Sequence, residues 1–455
     1  MKIVILWTDA LVFLLLAVTL VGAWYVRRRQ HLLLPWQRVG QSAAGMVSLL
    51  VLSLFLVVGL LDTLHYRAAL PDKNEGQMVY SPEVLSAFDT LVGGLRTQAE
   101  KTYSAPLSAY SYAKESITSP DGSTQRDYPR LKYGGAHLRD PAHELTADVM
   151  KRIALGAALG LAAVAALCWF IVRLRPALRR WKPARALLCT VLVLAALIGA
   201  TVSLAGGYHV FGTDKVGQDV LYLALKSIRT GLVIGTVTTL VMLPFALLLG
   251  VAAGYFRGWV DDVIQYVYTV LSSIPSVLLI AAAALMVQVL IETHGDWFAT
   301  AAARADVRLL CLCLILGVTG WTSLCRLLRG EALKLREMEY IQAAQAFGVS
   351  SFRILTRHIV PNVMHIVLIS VVMDFSALVL AEAVLSYIGV GVDPTMISFG
   401  TMINAARLEM SRDPVVWWSL MAAFIFMLAL VLAANLFADA VRDAFDPRLN
   451  RAGVA

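Results

Sequence analysis

The sequence predicts an all-α fold: a polytopic helical membrane protein with about nine transmembrane helices. Three observations carry this expectation. Hydrophobic residues make up 58% of the 455 positions and charged residues only 15%, with a mean hydropathy of +0.70, far from the balance of soluble domains. Apolar runs long enough to cross a hydrocarbon core of about 30 Å recur along the whole chain. These runs are continuous blocks and not ten-residue alternations, which excludes an outer-membrane barrel. Spans are expected at about 3–25, 42–64, 152–173, 186–206, 230–256, 263–291, 307–328, 362–389 and 415–438.

Taken in order, the first span follows Met1-Lys2 and is followed directly by Arg27, Arg28 and Arg29. A basic cluster after an apolar run, with no small-residue cleavage site before it, predicts a retained anchor and not a cleaved leader. Asp9, near its outer end, is expected to snorkel to the interface. Arg27–Arg29 and Arg38 lie between the first two spans, and Arg173, Arg175, Arg179, Arg180, Lys182 and Arg185 between the third and fourth. Short basic loops of this kind face the cytoplasm. They account for the net charge of +8 by topology, without nucleic acid as a partner. This orientation puts the amino terminus and segment 65–150 outside, and 329–361 and the carboxyl terminus in the cytoplasm.

Segment 65–150 mixes Ser, Tyr, Ala and charges of both signs. Leu85, Phe88, Leu91 and Leu95 predict one or two amphipathic helices between Glu83 and Tyr112, and Asp121-Gly122-Ser123 is turn material. Whether the segment is a lid or a docking surface stays open. In the third span Gly156 and Gly160 form a small-residue face for close helix packing. Cys168, Cys189, Cys311, Cys313 and Cys325 all fall in or beside apolar spans, as small packing residues and not as a disulfide or zinc framework. The scattered His209, His294, His358 and His365 predict no metal site.

Pro244 and Pro275 lie inside apolar runs, where each removes a backbone hydrogen bond. Pro275 is a candidate for the wall of a translocation path. Asp374 and Glu382 are carboxylates within the eighth span; such groups face protein or water. At about 100° per residue they sit roughly 80° apart on a helix and can both look inward. Both are candidates for the path, with interhelical hydrogen bonding as a further reading for Glu382.

Between the seventh and eighth spans lies a short polar-flanked helix. Tyr340, Ala343, Ala344 and Phe347 recur at helical spacing and make a small apolar face. Gly348 ends the run where a helix terminus wants positive φ, and Pro361 marks the start of the next span. No nucleophile–base pair or metal-ligand cluster accompanies it, so a shape is expected there and not chemistry; no enzymatic activity is expected of this chain.

This stretch resembles the cytoplasmic coupling loop of ATP-binding-cassette importer permeases. Gln342 stands where that pattern has Glu, Ala343, Ala344 and Gly348 match, and His358-Ile359-Val360-Pro361 closes it. The resemblance extends over 186–455. It takes in Gly212-Thr213-Asp214 with Gly217-Gln218-Asp219, Ala253-Gly254-Tyr255 to Asp261, Ser273-Ile274-Pro275-Ser276, Gly320-Trp321 with Arg326 to Gly330, Leu380-Ala381-Glu382 to Gly389, and Asp439, Arg442-Asp443 and Asp446-Pro447-Arg448-Leu449. It is similar to the second permease subunit of the dipeptide/oligopeptide/nickel family. The resemblance implies a six-span permease core at 186–455, preceded by a three-span extension at 1–185. It also implies a homologous permease subunit, two ATPase subunits and an external solute-binding protein as partners, besides membrane lipid. ATPase coupling is implied for Tyr340, Gln342, Ala343, Ala344, Phe347, Gly348, His358 and Pro361. Gly212 to Gly217 has the spacing of a phosphate loop, but Gln218 replaces the lysine. No cofactor is therefore expected in this chain, and ATP belongs to the partner subunits. A stand-alone channel or proton-coupled transporter is the alternative reading.

Overall fold

The computed structural model describes residues 2–69, 80–118, 124–174, 181–298 and 300–445. Asp121-Gly122-Ser123, Arg175, Arg179, Arg180 and the Asp446–Leu449 motif lie outside these residues. Nine helical stretches among the described residues are long and apolar enough to cross a membrane. The helices in order are α1 (Trp7–Arg27), α2 (Gln30–Val39), α3 (Ala43–Asp62), the short α4 (Ala87–Leu91) and α5 (Gly93–Thr97), α6 (Pro141–Leu174) and α7 (Ala184–Ala205). There follow α8 (Val220–Phe256), α9 (Gly258–Ser273), α10 (Ser276–Thr293), α11 (Ala301–Gly320), α12 (Thr322–Arg336), α13 (Glu339–Ala346), α14 (Ser351–Ile354), α15 (Val360–Ile388), α16 (Phe399–Glu409) and α17 (Trp418–Phe445). They distribute over two compact units.

The first unit comprises the described parts of 1–4, 37–230 and 397–436. Strands β1 (Lys2–Val4), β2 (His65–Arg67) and β3 (Leu85–Ser86) form a small antiparallel sheet with Tyr66 central, opposite Ile3 and Leu85. Strands β4 (Glu115–Thr118) and β5 (Thr124–Asp127) pair antiparallel. The helical expectation for Glu83–Tyr112 holds only for two short turns. Leu85 is drawn into β3, Ser86 and Asp89 start α4 with a reciprocal capping box, and the chain beyond Gln98 is irregular. Its backbone groups are satisfied elsewhere: Glu100 N–H donates to Gly217, Leu107 to His209 and Gly135 to Gly207. Helical spacing over four leucine and phenylalanine positions could not register these partners more than 70 residues away.

Helices α6 and α7 run antiparallel with their backbones in contact. A Cβ on Gly156 would lie 2.3 Å from the Gly199 carbonyl oxygen, and one on Gly160 2.2 Å from that of Ala195. Bare glycine backbone permits this approach.

The second unit comprises the described parts of 5–36, 231–396 and 437–455. Asp9 does not reach the interface as expected; it is fully buried, as is Thr8. The Thr8 amide donates to Asp306 Oδ2 at 3.2 Å and its hydroxyl to Oδ1. The free amides at the start of α1 are thus met by a carboxylate of α11, so protein and not headgroup water receives this polar end. Helix α8 begins ten residues before the expected span and runs unbroken through Pro244. The apolar run 263–291 divides into α9 and α10 because Ile274, preceding Pro275, is extended at φ −87°, ψ 132°.

Candidate functional site

The stretch between α12 and α15 is built on a buried aliphatic base. Ile341, Ile354 and Ile359 are all 0% exposed and share one core with Tyr255, Ile264, Tyr268, Leu328, Ala332 and Val363. Ile341 is the residue that pins α13 down. It is the one large aliphatic side chain of that helix, and the spacing of Tyr340, Ala343, Ala344 and Phe347 had drawn attention to the neighbouring face. That face in fact points outward: Phe347 is 87% exposed, Tyr340 and Ala343 are exposed, and Ala344 is half-buried against the core. Phe352, 76% exposed, extends the outward aromatic surface.

Both ends of α13 are fixed by hydrogen bonds. Gln342 Nε2 donates back to the Glu337 carbonyl at 3.3 Å, and Gln345 Nε2 reaches the Tyr255 hydroxyl at 3.4 Å. At the C-terminus Gly348 sits at φ +72°, its amide donates to Gln345, and the Val349 amide donates to Ala344. This paired closure requires a left-handed residue, so the glycine expected from sequence is used. The helix stops here, and a turn and the separate α14 follow.

Pro361 is the second residue of α15, as expected of a proline in the first turn of a helix. The chain is helical from Ser351, and Leu355–Ile359 widens into a π-helical stretch in which the Val360 amide donates five residues back, to Leu355. A proline lacks an amide and crowds the carbonyl four residues behind it; a widened turn just before Pro361 accommodates both. His358 stands half-buried in this stretch with its ring 6.1 Å from that of Tyr340. The Tyr340 hydroxyl accepts from Asn362 Nδ2 at 3.2 Å, so Tyr340, His358 and Pro361 come together at one joint.

Beneath lies an ion pair that no local spacing announced. Arg329 Nε and Nη2 donate to the two Asp261 oxygens at 2.5 and 2.7 Å, joining α12 to α9. The guanidinium holds the Asp261 carboxyl below its ordinary range. Arg257 pairs with Glu337 nearby.

The first unit carries a second constellation, in the Gly212–Asp219 motif. Gly212 and Gly217 take φ of +68° and +78°. Asp219 Oδ1 caps α8 by accepting from Leu221 N at 2.8 Å, while its Oδ2 meets His209 Nδ1 at 2.7 Å. His209 Nε2 lies 3.4 Å from Glu100 Oε1, and Glu100 also accepts from the Lys132, Tyr133 and Gly134 amides. Burial opposes the charge on both groups. The Asp219 and Glu100 carboxylates nevertheless raise His209 from 6.5 to about 9, and His209 with the three amides lowers Glu100 from 4.5 to about 2. The His209 contribution to stability is complete below about 6.5 and lost as pH rises through about 9. The Glu100 contribution is complete above about 4.5 and lost as pH falls toward about 2. Amide protection over 98–118 and 124–134, taken relative to the intrinsic exchange rate at each pH, should therefore be greatest near pH 5–6 and fall toward pH 10, with the fall starting at lower pH in Glu100→Gln.

The α13 stretch lies inside a region that matches known proteins. Residues 246–451 match the family described as binding-protein-dependent transport system inner membrane component. The oligopeptide transport system permease protein OppC of Mycobacterium tuberculosis is 36% identical over 242 residues, 53% of this chain and 77% of that protein. The dipeptide transport system permease protein DppC of Bacillus subtilis is 29% identical over 243 residues, 53% of this chain and 70% of the relative. OppC of Bacillus subtilis is 28% identical, covering 53% and 73%. The chain belongs to this family. It is a multi-pass inner-membrane permease subunit of an ATP-binding-cassette importer.

The permease's remaining candidate residues lie apart from the α13 surface. Pro275 sits at the N-cap of α10. Glu382, 1% exposed, accepts from the Ser386 hydroxyl at 2.7 Å along α15, and Asp374 is half-buried on the same helix. Among the described residues no group of three His, Cys, Asp or Glu side chains gathers as metal ligands. In this permease Asp261→Ala removes both partners of the Arg329 guanidinium and should cost about 1–2 kcal/mol, less than for a fully buried pair because Arg329 is 23% exposed and water takes up part of its charge. A double variant Asp261→Ala/Arg329→Met should recover most of that loss in thermal unfolding of the detergent-solubilised protein.

Proposed function

We propose that this permease moves di- or oligopeptides inward by alternating access, driven by two separate ATPase subunits that seat α13. The outward Tyr340, Ala343, Phe347 and Phe352 surface over the Ile341 anchor is the observation that carries this reading. A short helix gripped by its base, with a bare apolar face, transmits displacement instead of absorbing it. Its movement is passed to α12 and α15, whose core residues surround Ile341. ATP drives the cycle only by binding one arrangement of the subunits better than the other. The peptide class follows from the names of the relatives. A homologous permease completes the path, and an external solute-binding protein delivers cargo. The basic loops support an amino terminus outside with 329–361 and the carboxyl terminus in the cytoplasm. Residues 186–455 form the permease domain and 1–185 its extension; this chain hydrolyses no ATP and carries no cofactor.

The test is purification of the tagged permease in mild detergent, with identification of co-eluting chains and assay of peptide-stimulated ATP hydrolysis. Co-elution of a sister permease and ATPase chains is the expected result. A chain that elutes alone, without ATPase activity, would overturn the reading in favour of a channel or proton-coupled transporter.

A further inference from the structure

The relatives named above align with 53% of this chain, and the segment preceding the family match at 246–451 makes a specific set of contacts within the first unit. Three clusters converge on the start of α8 and the loops beside it. At the first, Lys226 Nζ lies 3.0 Å from Asp62 Oδ1 and 2.6 and 2.7 Å from the two Asp89 oxygens. The Tyr222 hydroxyl donates to Asp89 at 2.8 Å, and the Ser86 hydroxyl to Asp62 at 2.6 Å. The second is Glu100–His209–Asp219. At the third, Thr213 Oγ1 accepts from the Ser104 amide at 2.6 Å and donates to the Thr102 carbonyl, and the Thr213 carbonyl accepts from Trp418 Nε1 at 2.9 Å. The Tyr112 hydroxyl reaches the Val415 carbonyl at 3.0 Å, and Arg412 stacks over Tyr103.

We propose that the described residues 62–69, 80–118 and 124–135 are a permanent clasp that fixes the outer end of α8 to the loop before α17 and stays closed through the transport cycle. Resting on the orientation proposed above, this clasp faces the outside. A lid that opened in each cycle would have to break the Lys226–Asp62–Asp89 and Glu100–His209–Asp219 contacts together with the Thr213 and Trp418 hydrogen bonds. Water would resolvate the freed charges, so the cost lies in the number of bonds broken at once, each of modest net worth. The segment also shares backbone pairs with 207–217 at Glu100, Leu107 and Gly135, and a Cβ on Gly217 would lie 1.9 Å from the Glu100 carbonyl oxygen. Contact this close, distributed over three clusters, describes a fixed seam.

A disulfide across the seam tests it. The Ser104 and Thr213 hydroxyl oxygens are 3.1 Å apart, so Ser104→Cys with Thr213→Cys places two thiols within reach of copper-phenanthroline oxidation. In the complete transporter reconstituted in vesicles, near-complete cross-linking is expected, with peptide uptake by the oxidised variant within about twofold of the same variant reduced. Uptake abolished by oxidation and restored by dithiothreitol would overturn the clasp; because Ser104 and Thr213 are both fully buried, absent cross-linking is also what a closed seam gives, and the exchange measurement below then decides. Absent uptake in the reduced wild-type complex speaks against the peptide reading instead, and the clasp is then judged by exchange alone. Lys226→Met should speed amide exchange over 85–97 at least tenfold, and unchanged exchange would overturn it.

Discussion

Gly348→Val should reduce ATP-driven uptake by roughly tenfold or more while the permease still inserts and assembles in the membrane. The reason is conformational and not steric. Gly348 holds φ +72°, and nothing lies within 4 Å of where a Cβ would stand. A left-handed L-residue costs about 1–2 kcal/mol, and a β-branched one more. Since 1.4 kcal/mol is a factor of ten, valine depletes the closed C-terminus of α13 by that order. What is lost is the pair of amide bonds from Gly348 and Val349 that end the helix, and with them the fixed bearing of Phe347. Because space is open, the effect should follow tolerance for positive φ: valine most severe, alanine intermediate, asparagine mild. Equal losses in all three would refute this account of the turn. Ala344→Glu should uncouple by another route, since a carboxylate at this half-buried position must lift α13 off its base. Hydrolysis by the partner ATPases, measured beside uptake, separates uncoupling from failed assembly.

The membrane spans were legible because a long apolar block needs no partner to be recognised, and the glycine stop at 348 because positive φ is a property of one residue. Side chains whose meaning depends on distant partners were not legible. The expected span began only at about 230, yet α8 starts at Val220, and Lys226 in that first stretch is satisfied by Asp62 and Asp89, 164 and 137 residues away. Asp9 looked like an interfacial carboxylate because the burial of its helix end against α11 cannot be read from its own span. At α13 the sequence located the helix and its end but favoured Tyr340 over Ile341, since a two-turn helix offers either face and only the surrounding core decides which is inside. Glu100 and His209, 109 residues apart, carried no mutual signal, and His209 read as one of four scattered histidines.

Gly199→Val should be the most disruptive single change at the contact between α6 and α7. Its Cβ would stand 2.3 Å from the Gly156 carbonyl oxygen, so helices α6 and α7 must part by roughly an ångström before any side-chain atom is placed. Overpacking of this kind costs about 1–3 kcal/mol and occasionally more, and here the obstacle is backbone that cannot rotate away. At about 2–4 °C per kcal/mol for a unit of this size, the unfolding midpoint in detergent should fall by several degrees. Gly206→Ala is the matched control: it lies at the end of the same helix, where the nearest atom to an added Cβ is 3.7 Å away, and should leave the midpoint unchanged. A further control comes from Gly156→Val, which meets the same contact from the other helix at 2.3 Å. Two valines cannot relieve each other, so the double variant should be no more stable than the worse single one. Recovery in the double variant would mean that α6 and α7 repack along another face and that glycine-on-glycine contact is not what holds them.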